Sequence, residues 1–194
     1  MNDHIGIFPA SPDRWDDVAA VFEGPGDPGK CWCAYWYSSN KDFKANWGPA
    51  NRPVLESRVR DGIEPGVLAY LDGEPAGWAS IAPRSAFDRL VRNRQSLQAV
   101  DDRPVWSLNC FVVRRGFRKQ GLMRPLIRGA VDFAISKGAI AVEAYPVHSP
   151  NPSHYNLFLG SLAAFQEIGF VEVARHAPTR PILRYWPESH HQTD

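Results

Sequence analysis

Apolar and polar positions along this chain follow two periods, two and about 3.6 residues, and glycines and prolines mark where one gives way to the other. Ile5-Gly6-Ile7-Phe8 reads as a short strand. Ser11-Pro12 then supplies an N-cap and a first-turn proline for a helix with Trp15, Val18, Ala19 and Phe22 on one face. Residues 24–29 are a glycine- and proline-rich break. A second helix starts near Asn51, with Val54, Leu55, Arg58 and Val59 at helical spacing until Gly62 stops it. Apolar runs over 66–71 and 76–81 flank Asp72-Gly73-Glu74-Pro75, a strong hairpin signal. Residues 85–98 are predicted helical and are charged enough to lie at the surface. The strand over 105–113 is long and apolar. After it, Leu122, Leu126, Ile127, Ala130, Phe133 and Ala134 define an amphipathic helix over 122–137 that Gly138 closes. Pro125 falls in its first turn, where a missing N–H costs little. A strand over 139–145, a proline-rich loop over 146–152, a helix over 159–168 ending at Gly169, and strands over 170–174 and 182–185 complete the series. The expected class is α+β (mixed α/β), with one domain over 1–187 and a loose polar tail over 188–194.

Composition narrows the function. The 194 residues suit one domain, and 44% hydrophobic content supports a sizeable core. A formal net charge of +1 gives no reason to expect nucleic acid or a membrane surface as partner. No apolar run reaches the length of a membrane span, and Met1-Asn2-Asp3-His4 lacks the charged and apolar regions of a signal peptide. Cys31, Cys33 and Cys110 are too few for a disulfide framework, so a reducing cytoplasm is the expected location. Cys-x-Cys can begin a zinc site, but with only Cys110 left and no paired histidine ligands no metal is expected.

The most informative stretch is Phe111-Val112-Val113-Arg114-Arg115-Gly116-Phe117-Arg118-Lys119-Gln120-Gly121-Leu122-Met123. A strand meets a basic, glycine-bearing turn that opens a helix, so free N–H groups gather where the helix dipole adds positive potential. A pyrophosphate suits that place. Gly116 and Gly121 have P-loop spacing, but Leu122-Met123 stand where Lys-Ser/Thr must be. The dinucleotide pattern Gly-x-Gly-x-x-Gly is absent. What fits is Arg/Gln-x-x-Gly-x-Gly/Ala, read here as Arg118-Lys119-Gln120-Gly121-Leu122-Met123.

That segment resembles the acetyl-coenzyme A loop of the GNAT (GCN5-related N-acetyltransferase) superfamily, with Met123 as a departure whose side chain must point away from the cofactor. The element order resembles the same fold, and Gly169-Phe170 matches the superfamily's C-terminal ending. A closer likeness to a bacterial, largely actinobacterial, group rests on Cys31-Trp32-Cys33-x-x-Trp36, Gly77-Trp78, Ala82-Pro83-Arg84, Trp106-Ser107-x-x-Cys110-Phe111-Val112-Val113 and Glu143-Ala144-Tyr145-Pro146-Val147. The resemblance implies a twisted mixed sheet flanked by helices, with two parallel strands splayed into a wedge for coenzyme A. It implies that Arg118, Lys119, Gln120, Gly121, Leu122 and Met123 hold the pyrophosphate through their N–H groups, with charge added by Arg118, Lys119 and Arg124. Pantetheine would pair with the backbone of Phe111, Val112 and Val113.

The implied reaction is acetyl transfer to an amine by direct attack. It needs a neutral amine, a polarised carbonyl and a protonated leaving thiolate. A backbone N–H near Phe111 or Val112 would polarise the carbonyl. Cys110 sits in a strand with no histidine partner and reads as core. Glu143 is the first candidate base, an acid in an apolar strand expected to face the cleft, where burial would raise its pKa. The alternative is a structural carboxylate paired with an arginine such as Arg84. His148 and His154 are further candidates. Many superfamily members carry a donor tyrosine four residues before the glycine of Gly-Phe; here that position is Phe165, and Phe158 falls where an asparagine is often found. Tyr145 or Tyr155 would substitute, or solvent would protonate the thiolate.

Trp32, Tyr35, Trp36 and Trp78, with Trp47 and Arg84, are the candidate acceptor contacts, since aromatic walls suit a small amine. A hydrophobic lid over the core is the alternative for the same residues. The leading expectation is an acetyltransferase acting on a small-molecule amine, as monomer or homodimer. The alternatives are transfer to a protein lysine or N-terminus, and a coenzyme A-binding protein with little or no activity.

Overall fold

The computed structural model describes residues 4–93, 95–151 and 153–187, those at 154 and 155 by their backbone alone. The expected tail over 188–194 lies outside the described residues. Strands β1 (Ile5–Pro9), β2 (Gly66–Leu71), β3 (Glu74–Pro83), β4 (Trp106–Val113), β5 (Val142–Ala144), β6 (Val171–Ala177) and β7 (Arg180–Tyr185) form one sheet in the order β1-β2-β3-β4-β5-β7-β6. Every neighbouring pair is antiparallel except β4 and β5. The helices are α1 (Trp15–Phe22), α2 (Pro28–Cys31), α3 (Asn40–Ala45), α4 (Arg52–Arg60), α5 (Asp88–Arg92), α6 (Met123–Ser136) and α7 (Leu162–Ile168).

Period-two alternation builds a core on each face of the sheet. On β2, Val67, Ala69 and Leu71 join one core, with α6 and α7 over it, while Leu68 and Tyr70 join the other, under α1, α4 and the 32–37 segment. The β2–β3 turn is as predicted: Asp72 and Gly73 both have positive φ, 51° and 85°, as the tight primed turns require. Helix α6 lies close enough to β1 that a Cβ at Gly129 would sit 2.5 Å from Ile7 Cγ2. Helix α7 begins at the cap Ser161, whose side chain accepts from Ala164 N–H, and ends at Gly169 in the left-handed region (φ 105°).

Five expectations come out differently. Residues 85–98 are not one helix. A 3-10 turn (Arg84–Ala86) precedes α5, and the Asn93 Oδ1 then accepts from Gln95 and Leu97 N–H, substituting a local turn for further helix. The strand expected over 139–145 pairs only over Val142–Ala144, ahead of Pro146. The last helix starts at Leu162 rather than 159, after a 3-10 segment (His154–Leu159) and Gly160 with φ 78°. Ser11 caps no backbone group; its Oγ accepts from Arg14 Nη1, and a 3-10 turn precedes α1. Residues 28–51, for which the pattern predicts only a glycine–proline break and the start of a helix, fold into α2, α3 and two 3-10 turns. No described helix is long and apolar enough to cross a membrane.

Candidate active site

Strand β4 positions the site. It pairs with β5 only at Trp106↔Val142, Ser107↔Glu143 and Leu108↔Ala144, and beyond that the two parallel strands part. Across β4 the register with β3 slips between Ser80↔Cys110 and Ile81↔Leu108, which leaves Asn109 as an extra residue. A bulge bends its strand and re-aims side chains. Here it sets Asn109 and Cys110 on the same face, both lining a cavity with Val112, while Leu108 and Phe111 point into the opposite core.

The basic turn follows directly. Phe117 N–H still bonds Arg114 O, and Leu126 N–H bonds Leu122 O. Between them, the N–H groups of 118–123 meet no protein acceptor among the described residues. Lys119 (φ 64°) and Gly121 (φ 78°) adopt left-handed backbone, the kind of turn that gathers successive N–H groups into an anion-binding concavity. This cluster stands at the N-terminus of the 14-residue α6, where the helix dipole favours an anion. Met123 packs its side chain against the α6 core, away from the amides. Side chains around the turn have protein partners. Arg124 pairs with Glu167 of α7, Arg118 Nε donates to Val113 O at 3.1 Å, and Gln120 Nε2 donates to Gly116 O at 3.0 Å.

On the α1 face of the sheet lies a cavity of about 370 Å³. Its walls are aromatic: Phe22, Tyr35, Trp36, Phe43, Trp47 and Phe158. Of the expected acceptor contacts, Tyr35, Trp36 and Trp47 line it. Trp32 and Trp78 do not. Trp32 is buried between Trp15 and Phe22 with its Nε1 bonded to Gly29 O, and Trp78 is fully buried with its Nε1 on Cys33 Sγ. Arg84 is also elsewhere, its Nη2 donating to Leu90 O and Leu97 O. Sequence reasoning missed Asn109, Asp27 and Arg180, all of which line this cavity. A lone carboxamide in the apolar run of β4 was a readable signal for Asn109. Nothing local marks Arg180, which the β6–β7 hairpin delivers from the far end of the chain.

The expected acid–base residues are placed away from the cavity. Glu143 lies opposite Ser107, where β4 and β5 are still paired, and is 1% exposed. Its carboxylate accepts from Arg184 Nη2 at 2.6 Å and from Tyr145 Oη at 2.8 Å, with Arg84 Nε 3.8 Å away, while Arg184 also bonds Asp101. A carboxylate in such a position is a structural ion-pair member, so the expectation of a base facing the cleft is corrected. Tyr145 is buried with its hydroxyl shared between Glu143 and Ser107, and burial, then the Glu143 charge, pushes its pKa up. His148 joins the β6–β7 hairpin through its N–H to Thr179 O. The side chains of Tyr155 and His154 lie outside the described residues.

Cys31, Cys33 and Cys110 all border the cavity as free thiols. Burial, then the neighbouring Cys33, pushes Cys31 up to about 12, and hydrogen bonding with Cys33, then burial, raises Cys110 well above its ordinary value. Thiols that keep their protons this firmly are poor nucleophiles. No group of three or more histidine, cysteine or acidic residues among the described residues could hold a metal.

Comparison with solved structures places the architecture. An acetyltransferase of the GNAT family from Listeria monocytogenes 4b F2365 is 14% identical, with a TM-score of 0.55 over 96% of this chain and 100% of its own. The PaiA N-acetyltransferase of Thermoplasma acidophilum, solved with coenzyme A, is 12% identical, with a TM-score of 0.51 over 95% and 99%. A mosquito arylalkylamine N-acetyltransferase like 5b is 11% identical, with a TM-score of 0.56 over 95% and 100%. At these identities the likeness is one of fold. A search of curated proteins finds no match. The family model of the acetyltransferase (GNAT) family matches residues 32–160, from the aromatic segment through the parted strands and the amide-bearing turn, and the chain belongs to that family.

Proposed function

We propose that this protein transfers an acetyl group from acetyl-coenzyme A to a primary amine of a small molecule. The observation that carries this reading is the free amides of 118–123 beside a sheet that opens after Leu108. Those residues fit the cosubstrate: the amides would hold its diphosphate, and the wedge-facing backbone of Phe111, Val112 and Val113 would take the pantetheine. The coenzyme A seen with the Thermoplasma protein supports the same use of the fold. Acetyl-coenzyme A brings a thioester that a neutral amine attacks directly, the N–C bond forming as the C–S bond breaks.

The chain's own contribution is placement and proton handling. A backbone N–H near Phe111 or Val112 polarises the carbonyl, and Asn109 and Cys110 border the end of the route where the acceptor meets it. Asp27 is the carboxylate lining the cavity, and we assign it the proton of the amine. With Phe165 buried in the core against Phe111 and Phe170, the departing thiolate takes its proton from water. Aromatic walls and a volume of about 370 Å³ favour a small acceptor over a peptide.

Thiol release from acetyl-coenzyme A, followed across a panel of amines, tests this reading. Turnover on small amines is expected, and Asp27→Asn should lower kcat by roughly 10²-fold or more. Tight cofactor binding with no turnover on any acceptor would mark a coenzyme A-binding protein instead.

A further inference from the structure

The cavity's polar groups point to the chemistry of the acceptor. Arg180 opens β7 and lines the cavity beside Tyr35 and Trp36. Its Nε is buried with no hydrogen-bond partner, and the guanidinium makes no salt bridge among the described residues. By contrast, the buried Arg184 binds both Glu143 and Asp101. Burial lowers the pKa of Arg180, yet an arginine stays charged in a protein. Arg180 is half-buried, with its Nε enclosed and unpartnered, and such a cation facing the cavity suits an anion supplied from outside. Asp27 lines the same cavity.

Asn109 is the second, independent sign. It is 1% exposed, and neither Oδ1 nor Nδ2 has a partner. Leaving a buried carboxamide unpaired costs free energy, and a native structure accepts that where a ligand completes the bonding. The bulge of β4 holds this side chain in the cavity wall.

We propose that the acceptor is an amine that also carries a carboxylate, an amino acid with an apolar or aromatic body, whose carboxylate is held by Arg180 and whose polar backbone-like groups meet Asn109. This rests on the acetyltransferase reading above and names its substrate class. A guanidinium takes a planar carboxylate through two parallel bonds. One cation matches one carboxylate, whereas a phosphate dianion would bring more charge than Arg180 neutralises. The aromatic walls take the side chain and Asp27 faces the ammonium.

The test compares L-phenylalanine with phenylalanine amide and 2-phenylethylamine, which keep the body and amine but lose the anion. Two readouts are used on the intact protein: kcat/KM from thiol release, and quenching of the cavity tryptophans Trp36 and Trp47 on binding. The amino acid is expected to be favoured over both analogues by about tenfold to a hundredfold in each readout, the range of a charge-assisted hydrogen-bonded pair. Arg180→Gln should erase the preference. Asn109→Ala should weaken the amino acid and its amide alike. Equal use of 2-phenylethylamine by the wild-type protein, or a preference that survives Arg180→Gln, overturns the proposal while leaving acetyl transfer intact. Absence of coenzyme A binding would instead overturn the transferase reading.

Discussion

Glu143 shows how far a residue's type can mislead when its neighbours are unknown. An acid in an apolar strand reads as a tuned base, because the sequence does not show that β7 places Arg184 against it. Glu143→Gln removes one partner of a buried pair and is expected to cost about 3–5 kcal/mol, read as a lower midpoint in urea. The folded fraction should keep its kcat. A hundredfold fall in kcat with unchanged stability would restore Glu143 to the chemistry. The thiols give a second residue-scale prediction. Cys31 has its pKa raised from 9.0 to about 12, so between those values the native state binds a proton that the unfolded state has lost. Stability from this group is therefore full below about pH 9 and declines as pH rises towards 12. Cys31→Ser should flatten that alkaline decline, and thiol reagents at pH 8 should label the native protein slowly and the unfolded protein fast. Rapid native labelling would contradict the raised pKa of Cys31 and the burial of Cys33 and Cys110.

At the scale of elements, the long periodic segments were legible and the short ones were not. The β2–β3 hairpin, β4, and α6 with its Pro125 start and Gly138 stop follow directly from period and punctuation. The 28–51 segment defeats that reading because its helices are a turn or so long and hold position through tertiary contacts, such as Asn51 Nδ2 on Lys30 O. The helix expected over 85–98 fails at Asn93, whose side chain competes with the backbone. The amide-bearing turn was legible because its geometry is local, carried by backbone N–H groups and one glycine. The bulge at Asn109 depends on pairing with β3 and leaves no local mark. Packing of α6 on β1 gives the element-scale prediction. In Gly129→Ala the new Cβ would lie within 3 Å of three Ile7 atoms, so helix or strand must shift. Ala is the better helix former, yet overpacking should win, with a net loss of about 1–2 kcal/mol. Gly129→Ala should cost less in an Ile7→Ala background, where the two Cγ atoms nearest the new Cβ are gone; no loss in the single variant would mean that α6 sits farther from β1.

The whole molecule is divided along one seam. Strands β1–β4 and the β5-β7-β6 group share only three paired positions, between β4 and β5, reinforced by α6 against α7 through Arg124 and Glu167. The amide-bearing turn stands on one side of that seam and the cavity opens beside it, so a ligand lying in the wedge touches both parts of the sheet. Such a ligand binds the native state alone, because the unfolded chain has neither wedge nor gathered amides. At a hundredfold excess over its Kd it should add about 2.7 kcal/mol, which for a chain of this length corresponds to a rise in Tm of roughly 5–10 °C. Gly121→Glu separates specific from nonspecific stabilisation. No heavy atom lies within 4 Å of an added Cβ there, so the fold should survive with a loss of about 1 kcal/mol from the left-handed backbone. The new carboxylate would stand where the diphosphate must sit, and coenzyme A should no longer raise Tm. A variant that melts a few degrees lower but still gains the full shift would place the diphosphate away from 118–123, and the assignment of the wedge would fall with it.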